Sequence, residues 1–247
     1  MDIIADAAFA VAYELALFAA VIFAVFGIDD LAIDALSLSG LGRSEDEIVS
    51  ATDDVDLRFA VFVPAWHEGA VIGEMLSRLS ASWGDTDYRV YVGVYANDLA
   101  TMLAVARAVE ADPRVRMVTN DVPGPKSKRA HLHLLWQAVS VDRADAGWRC
   151  DAVLLHDAED VVDPAELVVL SRALAGADYV QIPVIPLIAP DGRWIGGHYA
   201  DEFAEAHGKE MPVRSALGAP LPTAGVGCAF RFELLARAAG SVGPFPA

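Results

Sequence analysis

The sequence predicts an α/β domain with a mostly parallel sheet, helices on both faces and one membrane-spanning helix in front. Three observations predict it. A long apolar stretch opens the chain, short apolar runs then alternate with segments of helical periodicity, and the unusual polar residues fall just behind those runs. The opening stretch, Ala7 to Ile28, carries one charge, Glu14. As a helix of about 22 residues it would reach roughly 33 Å, enough to cross a bilayer. No basic residue precedes Arg43, and the start is acidic (Asp2, Asp6), so a retained anchor over residues 1–36 is expected rather than a cleaved signal. Residues 37–56 are polar and acidic and read as a linker, with an α/β domain over 57–247.

Within that domain, Phe59 to Val63 is a buried strand stopped by Pro64, and Val71, Ile72, Met75, Leu76 and Leu79 follow at helical spacing. Tyr88 to Tyr95 is a second strand, Leu99 to Val109 a helix and Val115 to Val118 a third strand. Lys128 to Val141 places Leu132, Leu135, Trp136 and Val139 on one helical stripe. Asp151 to Leu155 is another buried strand. A helix should open at Pro164 with Asp163 as its N-cap, and Tyr179 to Ile182 is a further strand. A last helix is expected from about Tyr199.

Composition narrows the function. Hydrophobic residues make up 55% of 247, ample for a core, while 18 basic against 35 acidic side chains give −17. That balance argues against nucleic acid as a partner, since non-specific binding needs a positive face. Cys150 and Cys228 form no CxxC pair. No GxGxxG or GxxxxGK[ST] follows any strand, and no GxSxG is present, so dinucleotide dehydrogenases, P-loop NTPases and α/β hydrolases lack their motifs. His131 and His133 are two apart on a predicted helix and point to different faces, which does not make a zinc site.

Ligands of parallel sheets bind beyond the carboxyl ends of the strands. There the sequence places Pro64-Ala65-Trp66-His67-Glu68, then Asn97-Asp98, then His156-Asp157-Ala158-Glu159-Asp160. Carboxylates crowded at the mouth of an apolar strand repel one another, and a divalent cation relieves them. Magnesium commonly takes one or two protein carboxylates plus phosphate oxygens and water. Asp157 and Glu159 fall on one side of an extended chain, with Asp160 able to replace either. A solvated acidic turn fits the same letters.

Taken together, these segments resemble family 2 glycosyltransferases of the GT-A fold, a Rossmann-like nucleotide-diphospho-sugar transferase fold. The match runs through Val63-Pro-Ala-Trp-His-Glu68, Asp98, Lys128 ahead of a helix, and a DxD-type motif read as Asp157-Ala158-Glu159 with Glu in the second place. The membrane-bound branch related to cellulose and hyaluronan synthases is most similar. Tyr199 to Glu205 with Gly225-Val-Gly-Cys-Ala-Phe-Arg231 looks like the inner-membrane glycosyltransferase subunits of bacteriophage-adsorption systems.

The resemblance implies transfer of a sugar from a nucleotide sugar, UDP-sugar first, to a saccharide or envelope acceptor with inversion. It implies Mg2+ or Mn2+ on Asp157, Glu159 or Asp160. It implies donor contacts at Pro64, Ala65, Glu68, Asp98, Lys128 and Asp157, and acceptor-side residues Glu202, Gly225 and Gly227. Lys126 and Arg129 compete with Lys128. Nucleotide sugars are cytosolic, so the domain is expected to face the cytoplasm at a bacterial inner membrane, against lipid and with an outer-membrane or export partner. The Thr-Glu-Asp-like element that carries the family's general base does not occur before Ala247. The expected domain is therefore C-terminally incomplete with no assigned base, and a non-catalytic nucleotide-sugar-binding module is the alternative.

Overall fold

A computed structural model describes residues 2–42, 57–125, 127–145, 147–188, 192–239 and 244–245. The chain forms two compact units, residues 1–46 with 185–222 and residues 47–184 with 223–247. Most of the expected linker, from residue 43 on, lies outside the described residues, as does Lys126.

The larger unit is the α/β domain. Its strands are β1 (Phe59–Pro64), β2 (Tyr88–Tyr95), β3 (Val115–Asn120), β4 (Ala152–Leu155), β5 (Tyr179–Gln181) and β6 (Cys228–Arg231), in the sheet order β3-β2-β1-β4-β6-β5. β1 pairs in parallel with β2 (Val61 opposite Val90) and with β4 (Val61 opposite Leu154). β6 runs antiparallel between β4 and β5 (Leu154 opposite Ala229, Val180 opposite Ala229). The helices are α2 (Ile72–Trp83), α3 (Leu99–Ala111), α4 (Lys128–Asp145), α5 (Glu166–Leu174) and α8 (Phe232–Ala238).

Strand alternation sends side chains to two cores. Phe59, Val61 and Val63 pack with Ile72, Leu76 and Leu79 of α2, Val105 of α3 and Leu167 and Leu170 of α5. Ala60 and Phe62 point the other way, onto Leu135 and Val139 of α4 and Phe232 and Leu235 of α8. β1 is buried through Val63 because it is central and covered on both faces. The polar run that follows it is thereby delivered to the sheet's rim.

Three elements depart from expectation. β6 is a four-residue strand whose short run carries too little periodicity to stand out. α5 begins at Glu166, and Asp163 instead supports the preceding turn, its Oδ1 accepting the Ala165 amide at 2.7 Å. In the smaller unit, α6 (Arg193–Glu205) starts well before Tyr199, through the Gly196-Gly197 pair that propensity alone would reject.

The smaller unit holds α1 (Asp2–Leu38), α6, a π-helical turn (Ala206–Glu210) and α7 (Met211–Ala216). Helical geometry gives α1 a length of about 55 Å. Residues Ala5–Leu38 are apolar enough to cross a membrane and the most apolar window is wholly exposed. α1 continues past Ile28 because Leu31, Ile33 and Leu36 keep supplying helix-compatible side chains between Asp29, Asp30 and Asp34. Its far end is held by Lys209, which pairs with Asp34 and Glu205. Gly42 there passes so close to Pro212 that a Cβ would lie 2.6 Å from the backbone.

Candidate active site

The loop after β1 is stitched to the start of α3. Asp98 is the N-cap of α3, its Oδ1 accepting the Thr101 amide at 3.3 Å, while its Oδ2 accepts the His67 amide at 2.6 Å. The Glu68 amide donates to Thr101 Oγ1 at 3.0 Å. Burial pushes the Asp98 carboxyl up, but the Thr101 and His67 hydrogen bonds outweigh it and hold the pKa below the usual range. His67 sits at φ 62°, a left-handed conformation uncommon outside glycine. Asp98 therefore maintains a strained turn, a role the sequence does not advertise.

Pro64 closes β1. The Ala65 side chain is buried, and its amide donates to Gly93 O at 2.8 Å, carrying the ladder one step further. Trp66 stands half-buried, edge-on to Tyr95 at 5.1 Å between ring centroids. Gly124 fits against these two rings, where a Cβ would come within 2.8 Å of both, and Asn97 brackets it with its side-chain amide.

Lys128, Asp157 and Gly225 meet directly. Lys128 Nζ donates to Asp157 Oδ1 at 2.6 Å and to Gly225 O at 3.3 Å. α4 supplies the lysine from its first turn, the exit of β4 the aspartate, and the turn before β6 the carbonyl. That turn needs glycine: Gly225 and Gly227 lie at φ 82° and 58°, and Gly227 closes onto Leu155, its amide donating to Leu155 O at 2.9 Å. Glu159 sits beside this group. Burial raises its carboxyl above the usual range first, and the negative charges of Glu68 and Asp157 raise it further. The structure thus brings Glu68 toward Glu159.

Asp160 is placed differently from Asp157 and Glu159. Its Oδ2 accepts the Asp157 amide at 2.9 Å and faces His156 Nδ1 at 2.8 Å. The other ring nitrogen of His156 lies 3.0 Å from Glu166 Oε1. Burial disfavours the imidazolium, yet Glu166 and Asp160 outweigh it and push the His156 pKa up to about 9. The sequence places His156 beside the acidic run but gives no signal for Glu166 or for the pairing of the two.

A divalent cation fits part of this set. Among the described residues no three acidic, histidine or cysteine side chains converge as a closed metal cage. Asp157 and Glu159, the latter with its carboxyl pKa raised first by burial and then by neighbouring negative charge, are the chemistry expected of an open site that takes two carboxylates and fills the rest with phosphate oxygens and water. His131 is buried with its ring 4.3 Å from that of Tyr95, and His133 bonds Phe245 O at 3.0 Å. Glu202 lies on α6, in the smaller unit, and is exposed. A groove of about 890 Å³ runs between α2 and α3, and none of the candidate residues lines it.

The family model for glycosyltransferase like family 2 matches residues 57–245, which span β1 to the end of the described chain. The chain belongs to glycosyltransferase family 2. The chain is 37% identical over 171 residues to bacteriophage adsorption protein B of Escherichia coli K12 and, equally, to bacteriophage N4 adsorption protein B of Escherichia coli O157:H7. Each alignment covers 69% of this chain and 23% of the relative, so the chain spans about a quarter of the curated relatives it matches. Among solved structures, the mannosyltransferase PcManGT from Pyrobaculum calidifontis, in complex with GDP-Man and Mn2+, shares the fold. The TM-score is 0.55 at 20% identity, over 91% of this chain and 56% of that one. The α/β domain is thus a GT-A glycosyltransferase domain, preceded by one helix long and apolar enough for a membrane.

Proposed function

We propose that this family 2 domain binds a nucleotide sugar, UDP-sugar first, and transfers the sugar with inversion to a saccharide or other envelope acceptor in a reaction that needs Mg2+ or Mn2+. The observation that carries the reading is the meeting of Lys128 with Asp157 at 2.6 Å at the exit of β4, with Glu159 alongside. Carboxylates and one cationic side chain at the carboxyl end of a parallel sheet suit a diphosphate.

In the transfer, the acceptor hydroxyl oxygen forms a bond to the anomeric carbon as the carbon–oxygen bond to the diphosphate breaks on the opposite face, and the hydroxyl proton leaves to a base. The diphosphate departs with the electron pair and gains negative charge. A cation on Asp157 and Glu159 would supply Lewis-acid stabilisation of that charge. Lys128 adds a second positive contact to it. Glu68 and Asp98 shape the loop that receives the base and ribose, with Pro64 and Ala65 fixing where it leaves the sheet. Gly225 and Gly227 belong to the acceptor side. The mannosyltransferase of the same fold holds GDP-Man with Mn2+, which supports a nucleotide sugar used together with a divalent cation. The relatives named for bacteriophage adsorption support an envelope acceptor. α1 anchors the domain in the membrane lipid with its donor site toward the cytoplasm.

The test is product release. The full chain, incubated with UDP-sugars and Mn2+, should release UDP, and EDTA should stop it. Binding without release would assign the chain as a non-catalytic nucleotide-sugar-binding module. Absence of both overturns the reading.

A further inference from the structure

We propose that Glu166 is a positioning residue for the Asp157–Glu159 turn, acting through His156 and Asp160; the inference rests on the reading of that turn as the diphosphate and cation site. The links are continuous. Glu166 Oε1 lies 3.0 Å from His156 Nε2, His156 Nδ1 lies 2.8 Å from Asp160 Oδ2, and that same oxygen accepts the Asp157 amide at 2.9 Å. Each ring nitrogen of His156 thus faces one carboxyl group within hydrogen-bond distance, whichever partner carries the proton. The imidazole is thereby fixed at both ends. The Asp160 amide also donates to Asp157 O at 3.3 Å, so the turn is closed from both sides.

Burial makes this more than a surface contact. The side chains of His156 and Glu166 are 5% and 2% exposed, and Asp160 is 23% exposed. Glu166 comes from the first turn of α5, which is packed into the core through Leu167 and Leu170. The ring of Trp83, at the end of α2, lies 6.1 Å from that of His156, and its Nε1 donates to Asp163 O at 3.1 Å. The brace therefore ties a rim loop to two core helices. It leaves the Asp157 side chain outside the brace, where Lys128 meets it. Asp160, placed by sequence among the cation ligands, is on this account the inner end of the brace.

Two measurements on the full chain test it, one without ligand. Hydrogen exchange of the peptide spanning residues 155–161 should accelerate in Glu166→Ala, while Glu166→Gln, which keeps an acceptor for the ring N–H, should stay near the parent rate. Affinity for Mn2+ with UDP should fall about tenfold in Glu166→Ala, the scale typical of lost outer partners of a metal site, and recover in Glu166→Gln. A residue that merely stabilises the fold would lower the melting temperature and leave both readouts of the folded protein unchanged, and that result overturns the proposal. Should Glu166→Ala fail to fold, His156→Gln replaces it with the same expectations, and wild-type behaviour there overturns the proposal equally. If the parent chain binds no Mn2+ or UDP, the functional reading fails, whereas the exchange data still decide whether the brace exists.

Discussion

Asp98 shows how one side chain can serve two elements. It caps α3 and at the same time holds the His67 amide, which fixes the left-handed turn beside Trp66. Asp98→Ala removes both bonds. Loss of the cap alone costs about 1 kcal/mol, seen as a lower melting temperature. Release of His67 should additionally weaken nucleotide binding, because the loop after β1 relaxes. A variant less stable but with unchanged nucleotide affinity would confine Asp98 to capping. At this scale the sequence was legible in part. The spacing of Asp157 and Glu159 marked a pair on one side of the chain, but did not tell that Asp160 turns back to accept the Asp157 amide. The sequence was silent on the pairing of His156 with Glu166, because ten residues of chain separate them and only the packing of α5 brings them together.

The elements of the α/β domain were legible because each strand is a short apolar run and each helix buries a periodic stripe. The exceptions are physical. β6 is too short for a period, and α6 forms through two glycines against intrinsic propensity. The contact between α2 and the end of α3 gives a testable pH dependence. Asp112, at the C-cap of α3, accepts from Arg114 Nη2 at 2.8 Å and from the Ser80 hydroxyl at 2.7 Å. The Arg114 guanidinium holds its pKa down to about 2, against 3.8 for the ordinary group. The depressed value means the unfolded chain binds the proton more readily. This contribution is complete above about pH 4 and is lost as pH falls toward 2. Denaturant unfolding between pH 2 and 5 should show that loss, and Asp112→Asn should flatten it. An equally steep acid limb in the variant would assign the loss to other carboxylates.

For the whole molecule, α1 is long and apolar enough to cross a membrane, and the proposed function makes it the anchor. Phe18, Phe23, Val25 and Phe26 are exposed along it, an apolar surface too large for a helix in water. Deleting residues 2–28 should move the glycosyltransferase domain from washed membranes to the supernatant, with its sheet intact by circular dichroism. Retention of the shortened chain in the pellet would place the membrane contact elsewhere. The net charge of −17 leaves Lys128 as a local cation in an acidic protein, so on the proposed function a metal would be needed to receive a diphosphate there. Calorimetric titration of UDP into the full chain measures that dependence directly. The account predicts binding with Mn2+ present, none with EDTA, and an affinity about tenfold lower in Asp157→Asn, equivalent to about 1.4 kcal/mol. Equal UDP affinity in Mn2+ and in EDTA, undisturbed by Asp157→Asn, would contradict it.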